Sequence, residues 1–275
     1  MDWWQALVLG VVEGVTEYLP VSSTGHLILA QRLMRIPSGP AADAYAICIQ
    51  AGAILAVLGL YWPRVSQMLL GVLGRDRQGL TLAVNIVVAF LPAAVFGVLF
   101  DDVIEGYLFG LWPITAAWLV GGLAILAVSH RRQDRFPQAK AGKDLDSLTW
   151  RMALVIGLAQ CLAMWPGTSR SLVTILAGIL TGLSVAGAVE FSFLLGVVTL
   201  TAATGFKAMH GGLAMVQAYG WSPILFGFIA AALSAAVAVK WLVGYLNRHS
   251  LSIFGLYRLT LAAVMILVLT GGLMP

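Results

Sequence analysis

Charge is what this sequence has least of. Asp, Glu, Lys and Arg make up 10% of its 275 residues, against 60% hydrophobic residues, and the mean hydropathy is +0.92. So sparse a polar inventory excludes a soluble core and implies a polytopic membrane protein. Cysteine is scarce too. Cys48 and Cys161 both lie in apolar segments and read as buried small hydrophobes rather than a disulfide or a metal pair. Motifs of the CxxC or HExxH type are missing, and the start of the chain offers Asp2 and no basic region, so a cleaved signal peptide is not expected. A balance of +4 is too small to imply a nucleic-acid partner; in a membrane chain the placement of Lys and Arg matters more than their sum.

Long uncharged runs are what the chain does have. Residues 44–62, 78–100 and 106–129 are each long enough for a hydrocarbon core, which takes roughly 20 helical residues. After a polar stretch at 130–149 come 152–169, 171–189, 191–206, 211–239 and 259–275. Two regions do not fit a simple span. Residues 3–12 and 18–31 are short runs on either side of a glutamate pair, and 152–165 ends at Pro166-Gly167 with a new helix expected near Thr168. Each reads as a re-entrant helix–turn–helix hairpin, whose irregular backbone must be covered by protein or face a cavity.

The order of elements then repeats. Residues 1–130 give a hairpin and three spans near 43–61, 79–100 and 110–129; residues 150–275 give a hairpin and three spans near 186–206, 218–243 and 252–273. The tips echo each other, Pro-Val-Ser-Ser at 20–23 against Pro-Gly-Thr-Ser at 166–169. The fold class expected is therefore an all-α polytopic membrane protein forming one membrane domain over 1–275. Three crossings per half invert the second copy relative to the first, a transporter-like architecture. Eleven of the sixteen basic residues (Arg64, Arg75, Arg77, Arg131, Arg132, Arg135, Lys140, Lys143, Arg151, Lys240 and Arg248) fall in or beside one alternate set of loops, which is expected to be cytoplasmic. The other set holds Asp101, Asp102 and Glu105, with Arg32, Arg35 and Lys207 as its basic residues. Both termini then face outward, and the hairpins enter from opposite sides so that their tips meet. Trp3, Trp4, Trp62, Trp112, Trp150 and Trp221 fall near the predicted boundaries, as interface aromatics do.

Glu13 to His26 reads EGVTEYLPVSSTGH. Ionisable groups at membrane depth are costly and usually functional. Glu13 and Glu17 are four apart and share a helix face; Ser23 and His26 share a face of the next helix. Pro20 breaks the run, and Ser22 or Ser23 can cap the helix that follows. A carboxylate pair suits a divalent cation, Mg²⁺ or Ca²⁺, or divides into acid and base; the alternative is a hydrogen-bonded structural pair. Together the hydroxyl, the imidazole and the carboxylates resemble a nucleophile, an acid/base and an orienting group. In the second half, Thr168, Ser169 and Arg170 open a half-helix, whose free N–H groups and dipole favour anions. Arg170 matches a phosphate through its fork, or it pairs with Glu13 or Glu17 to neutralise a buried charge. Ser22, Thr24, Thr168, Ser169 and Arg170 are the expected phosphate contacts. Glu190, within a turn of the cytoplasmic edge, is read as structural.

The runs EGVTEYLPVSSTGHL and PGTSRS, with the spacing between them, resemble the bacterial undecaprenyl-diphosphate phosphatases of the bacitracin-resistance type, and the resemblance covers essentially the whole chain. It implies an integral hydrolase of the bacterial inner membrane that removes the terminal phosphate of undecaprenyl diphosphate, recycling the carrier for cell-wall synthesis, with its site open to the periplasmic side. It puts the family's acidic motif on Glu13 and Glu17, its serine and histidine on Ser23 and His26, and its arginine on Arg170. Leu172 stands where a glycine would be expected. Expected partners are a polyprenyl diphosphate and membrane lipid, with a homodimer left open. Nucleophilic attack by Ser23, by His26 or by water all stay open. The rival reading, a transporter or flippase for an anion, would not require Ser23, His26 and two glutamates.

Overall fold

The computed structural model describes residues 1–133 and 142–272; Arg135 and Lys140 of the basic loop and residues 273–275 of the last expected span lie outside the described residues. Regular structure among the described residues is helical, apart from one bridge between Lys143 and Leu183. The helices are α1 (Trp3–Thr16), α2 (Ser23–Leu33), α3 (Pro40–Leu60), α4 (Trp62–Val72), α5 (Arg77–Leu108), α6 (Leu111–Gln133), α7 (Trp150–Gln160), α8 (Arg170–Leu180), α9 (Val185–Tyr219), α10 (Trp221–Leu246) and α11 (Ser252–Thr270). Six segments are long and apolar enough to cross a membrane, over 40–60, 77–100, 111–130, 185–206, 221–246 and 252–270. They fall on the six expected spans, and the chain is a multi-pass α-helical membrane protein.

Four of the five short helices, α1, α2, α7 and α8, are those of the expected hairpins. At 1.5 Å per residue α1 reaches about 21 Å, and α2, α7 and α8 about 16 Å each, less than a hydrocarbon core of about 30 Å. The break after α1 is a turn over 17–21 containing Pro20. The second break differs from the expectation: the first arm leaves the α form at Gln160 and continues as a 3₁₀ turn, Cys161–Met164, before Pro166-Gly167. Both tips end in the same unusual backbone. Ser22 (φ 78°, ψ 102°) and Ser169 (φ 76°, ψ 115°) hold positive φ just before α2 and α8. Non-glycine residues rarely adopt that conformation, and it clusters at functional sites. The equivalence corrects the register read from the motifs by one residue: Ser22 matches Ser169, so Ser23 stands opposite Arg170.

Packing brings the two halves together throughout. α3 lies on α9, α6 on α11, α1 on α10 and α5 on α7. The first arm of each hairpin thus leans on the second long span of the other half. Both contacts use a bare glycine. A Cβ on Gly10 would strike the Gly227 carbonyl, and one on Gly157 would strike the Ala89 carbonyl. Leu172, where a glycine was expected, is buried in the main core and fits its surroundings.

Helix α4 was not anticipated, because Arg64, Ser66 and Gln67 interrupt its apolar pattern. It packs against α5. Arg64 donates from Nε to Glu190 Oε1 at 2.8 Å and from Nη1 to Asp146 Oδ1 at 3.0 Å. This trio gathers the start of α4, the 3₁₀ turn Leu145–Ser147 and the start of α9 at one end of the bundle, which accounts for Glu190 structurally. Two further spans differ in length: α5 runs on to Leu108, and α9 continues from the expected end at 206 to Tyr219, about 50 Å in all. Trp3, Trp62, Trp112, Trp150 and Trp221 sit exposed at helix starts, as interface residues should. Cys48 and Cys161 are free thiols and half-buried rather than fully buried.

Candidate active site

The tips meet in the interior. Ser171 Oγ donates to the Leu19 carbonyl at 3.0 Å, across the junction of the two hairpins. Ser23 is the first residue of α2 and not its cap; Ser22 takes the cap position without a side-chain cap bond. The Ser23 hydroxyl donates to Glu17 Oε2 at 2.5 Å, and both residues are buried. From the other tip, Arg170 Nη2 donates to Glu17 Oε1 at 3.1 Å and Nη1 to the Ser192 carbonyl at 2.9 Å. The guanidinium also lies over the Tyr18 ring, with Cζ 5.3 Å from its centroid. The pairing of Arg170 with a glutamate therefore exists, and its partner is Glu17.

Beside this triad opens a cavity of about 520 Å³. One end is polar, walled by Glu17, Ser22, Ser23, Thr24, Ser169 and Arg170, with Gln50 and Gln160. The rest is apolar, walled by Phe90, Gly97 and Val98 of α5, Met164 of the 3₁₀ turn, and Leu200 and Phe206 of α9. Val98 is 78% exposed, so the apolar end reaches the outer surface of the bundle. A chamber with charged and polar side chains on part of its wall and apolar ones on the rest, reaching the surface at Val98, suits an amphiphile with an anionic head.

Of the remaining expected site residues, Ser169 lines the cavity and caps α8, its Oγ accepting from Leu172 N at 3.3 Å. Thr168 is half-buried and does not line it. His26 is on the shared face but turns away. Its Nδ1 lies 2.6 Å from the Ser22 carbonyl and donates there, and its Nε2 is hydrogen-bonded to the Tyr257 hydroxyl at 2.7 Å. The imidazole stacks on Tyr257 and does not wall the cavity.

Glu13 is 1% exposed, and its Oε1 has no hydrogen-bond partner among the described residues. No cluster of three or more His, Cys, Asp or Glu side chains forms among the described residues. A closed metal cage does not fit. Glu17 lines the cavity and Glu13 does not, and both Glu17 oxygens already accept, from Ser23 and from Arg170; the orphaned Oε1 of Glu13 is what a cation there would relieve.

Among the interior polar residues that the sequence reading missed are Gln50, Gln160, Ser171 and Arg258. Gln50 Nε2 lies 3.5 Å from Glu17 Oε2, and Thr199 Oγ1 donates to Gln160 Oε1 at 3.3 Å. For Gln50, Gln160 and Arg258 the available signal was a lone polar residue inside an apolar run; Ser171 lies in the PGTSRS run already singled out.

Known proteins carry the same sequence pattern along most of their length. A family model described as bacitracin resistance protein BacA matches residues 6–264. An undecaprenyl-diphosphatase of Sorangium cellulosum is 44% identical over 97% of this chain and 86% of its own. Undecaprenyl-diphosphatase 2 of Rhodospirillum rubrum is 42% identical over 98% and 96%. An undecaprenyl-diphosphatase of Clostridium perfringens is 33% identical over 92% and 91%. With the match running from within α1 into α11, this chain belongs to the BacA family of bacitracin resistance proteins.

Proposed function

We propose that the protein is an undecaprenyl-diphosphatase, hydrolysing undecaprenyl diphosphate to undecaprenyl phosphate and inorganic phosphate and thereby conferring bacitracin resistance. The relatives' names and the family support the activity. The observation that carries the chemistry is the Ser23–Glu17–Arg170 triad at the polar end of an otherwise apolar lateral cavity. An anion transporter would use the arginine but would not need a serine hydroxyl held on a buried carboxylate.

In the mechanism we favour, the head of the lipid enters the polar end and the isoprenyl chain lies along the apolar wall. Ser23 Oγ attacks the terminal phosphorus while Glu17 Oε2, already on its proton, acts as base. The new bond is Oγ–P and the bond broken is that to the bridging oxygen, so undecaprenyl phosphate departs. Water then cleaves the phosphoserine, releasing phosphate and returning the proton to the hydroxyl. Arg170 holds Glu17 and presents positive charge where the phosphoryl oxygens sit, beside the amino ends of α2 and α8. His26, with both ring nitrogens engaged elsewhere, serves by holding the Ser22 carbonyl. Glu13 and Glu17 would hold Mg²⁺ or Ca²⁺, which when bound neutralises phosphate charge.

The orientation we propose makes the two halves inverted copies, in keeping with their reciprocal packing and matched tips, with the site reached from the periplasmic side of the inner membrane. Purified protein in detergent, given a long-chain isoprenyl diphosphate, should release phosphate, and an acid quench should trap phosphate on the Ser23 peptide. Turnover by Ser23→Ala at the wild-type rate would sink the assignment of the nucleophile.

A further inference from the structure

Arg258 lies midway along the first half of α11, 0% exposed, with no carboxylate in salt-bridge distance among the described residues. A buried cation without a counter-ion is costly unless oxygen acceptors surround it. Here every acceptor is a backbone carbonyl. Nη2 donates to Ala117 O and to Gly167 O, both at 2.8 Å, Nη1 to Pro20 O at 3.3 Å and Nε to Trp118 O at 3.4 Å. Ala117 and Trp118 belong to α6, and Pro20 and Gly167 belong to the two tips. Room for the group is left by Gly121 of α6, where a Cβ would collide with the guanidinium.

The two tip carbonyls are not an arbitrary pair. In the register fixed by the matching φ and ψ of Ser22 and Ser169, Pro20 corresponds to Gly167. Each lies three residues before the residue its tip contributes to the site, Ser23 on one side and Arg170 on the other. One planar guanidinium thus grips the same point of both hairpins and ties it to a full-length span. Helix tips that end inside a membrane have few other anchors, and the break at each tip frees backbone carbonyls that must be paired.

We infer that Arg258 is a positioning residue for the reaction, setting the distance between Ser23 and Arg170 by gripping the carbonyls of Pro20 and Gly167 at once. It touches neither substrate nor the reacting atoms. Lysine keeps the charge but presents a point donor instead of a planar fork, and cannot span the same four carbonyls. The inference rests on the phosphatase reading for its kinetic test and is independent of it for its structural one.

Three variants test it: Arg258→Lys, Arg258→Met and Gly121→Ala, the last displacing the guanidinium without removing it. A displacement of the order of 1 Å at reacting groups costs about 10²-fold in rate. Arg258→Lys and Gly121→Ala should therefore lower kcat for a long-chain isoprenyl diphosphate by about that factor with KM little changed, and Arg258→Met by more. Arg258→Lys combined with Gly121→Ala should be no worse than Arg258→Lys alone, since the added methyl then has no guanidinium to push. Hydrogen–deuterium exchange gives a readout free of substrate. Peptides covering 17–24 and 165–171 should exchange faster together in the variants, while the spans keep wild-type protection. Faster exchange at one tip only, unchanged exchange at both, or wild-type kcat in a folded Gly121→Ala protein would overturn the inference. Should Arg258→Met fail to fold, Gly121→Ala and Arg258→Lys decide. A wild-type protein that releases no phosphate would sink the functional reading while leaving the exchange result to judge Arg258.

Discussion

Glu17 is held from three directions, by the Ser23 hydroxyl, by Arg170 and more loosely by Gln50. Glu17→Gln preserves size and an acceptor for Arg170 but removes the base and the negative charge. It should lower turnover by at least the 10²–10⁴-fold typical of general-base loss, measured as phosphate release under saturating lipid. Glu13→Gln should act differently, weakening the response to added divalent cation and recovering in part at excess metal, which a metal titration of initial rates will show; the same rate at every metal concentration would remove Glu13 from metal binding. Arg170→Lys should lose about 10²-fold or more while the protein stays folded, because one ammonium cannot reach Glu17 Oε1 and the Ser192 carbonyl in the geometry the fork uses. Near-normal turnover would reduce Arg170 to a counter-charge. Glu17, Ser23 and Arg170 were legible because each is polar or charged where lipid tolerates neither. The direction of His26 was not. A three-residue spacing assigns a helix face, but Tyr257, more than two hundred residues away, decides where the ring points. Arg258 was missed for a related reason: it sits just outside the uncharged run 259–275, and its partners are carbonyls, which carry no sequence signal at all.

At the level of elements, the hairpins are held by close helix–helix contact where side chains are small. Gly10→Val and Gly157→Val should each push an arm off the opposing span, destabilising by about 1–3 kcal/mol as overpacking does, seen as a lower midpoint of thermal unfolding in detergent. A substitution at Gly59, where a Cβ meets nothing, is the matched control. Unchanged midpoints for the two valine variants would mean that the arms are not tightly seated. The hairpins were readable from prolines beside polar clusters in runs too short to span. The 3₁₀ turn at Cys161–Met164 was not, since nothing in Cys-Leu-Ala-Met distinguishes it from α-helix. Helix α4 was hidden for the opposite reason. A helix lying against its neighbours at the edge of the bundle carries a mixed pattern, and its arginine looks like a loop residue until Asp146 and Glu190 are seen around it.

Over the whole molecule, the site is completed across the two halves, by Arg170 on Glu17 and by Ser171 on the Leu19 carbonyl. Polypeptides 1–141 and 142–275 expressed together should reassemble and hydrolyse lipid diphosphate, and neither should work alone. Activity from the first by itself would place the chemistry within it and dismiss Arg170. The proposed orientation has its own check. In a protein with Cys48 and Cys161 replaced by serine, single cysteines at Asp2 and Ser222 should react with an impermeant thiol reagent from outside, and one at Ser147 should not. Outside labelling at Ser147 would overturn the inverted arrangement.

The matched tips have a consequence for how such a protein can arise. Ser23 and Arg170 occupy equivalent backbone positions, yet the chemistry needs one of each. Two identical half-length chains pairing about a two-fold axis would present two serines, with no cation for the anionic head, or two arginines, with no nucleophile and with mutual repulsion. A symmetric homodimer of halves is therefore chemically barren at this spot, however well it packs. On the proposed inverted arrangement, the smallest assembly able to hold the site is a pair of unlike sequences, so two such copies would have to diverge before, or with, the first turnover.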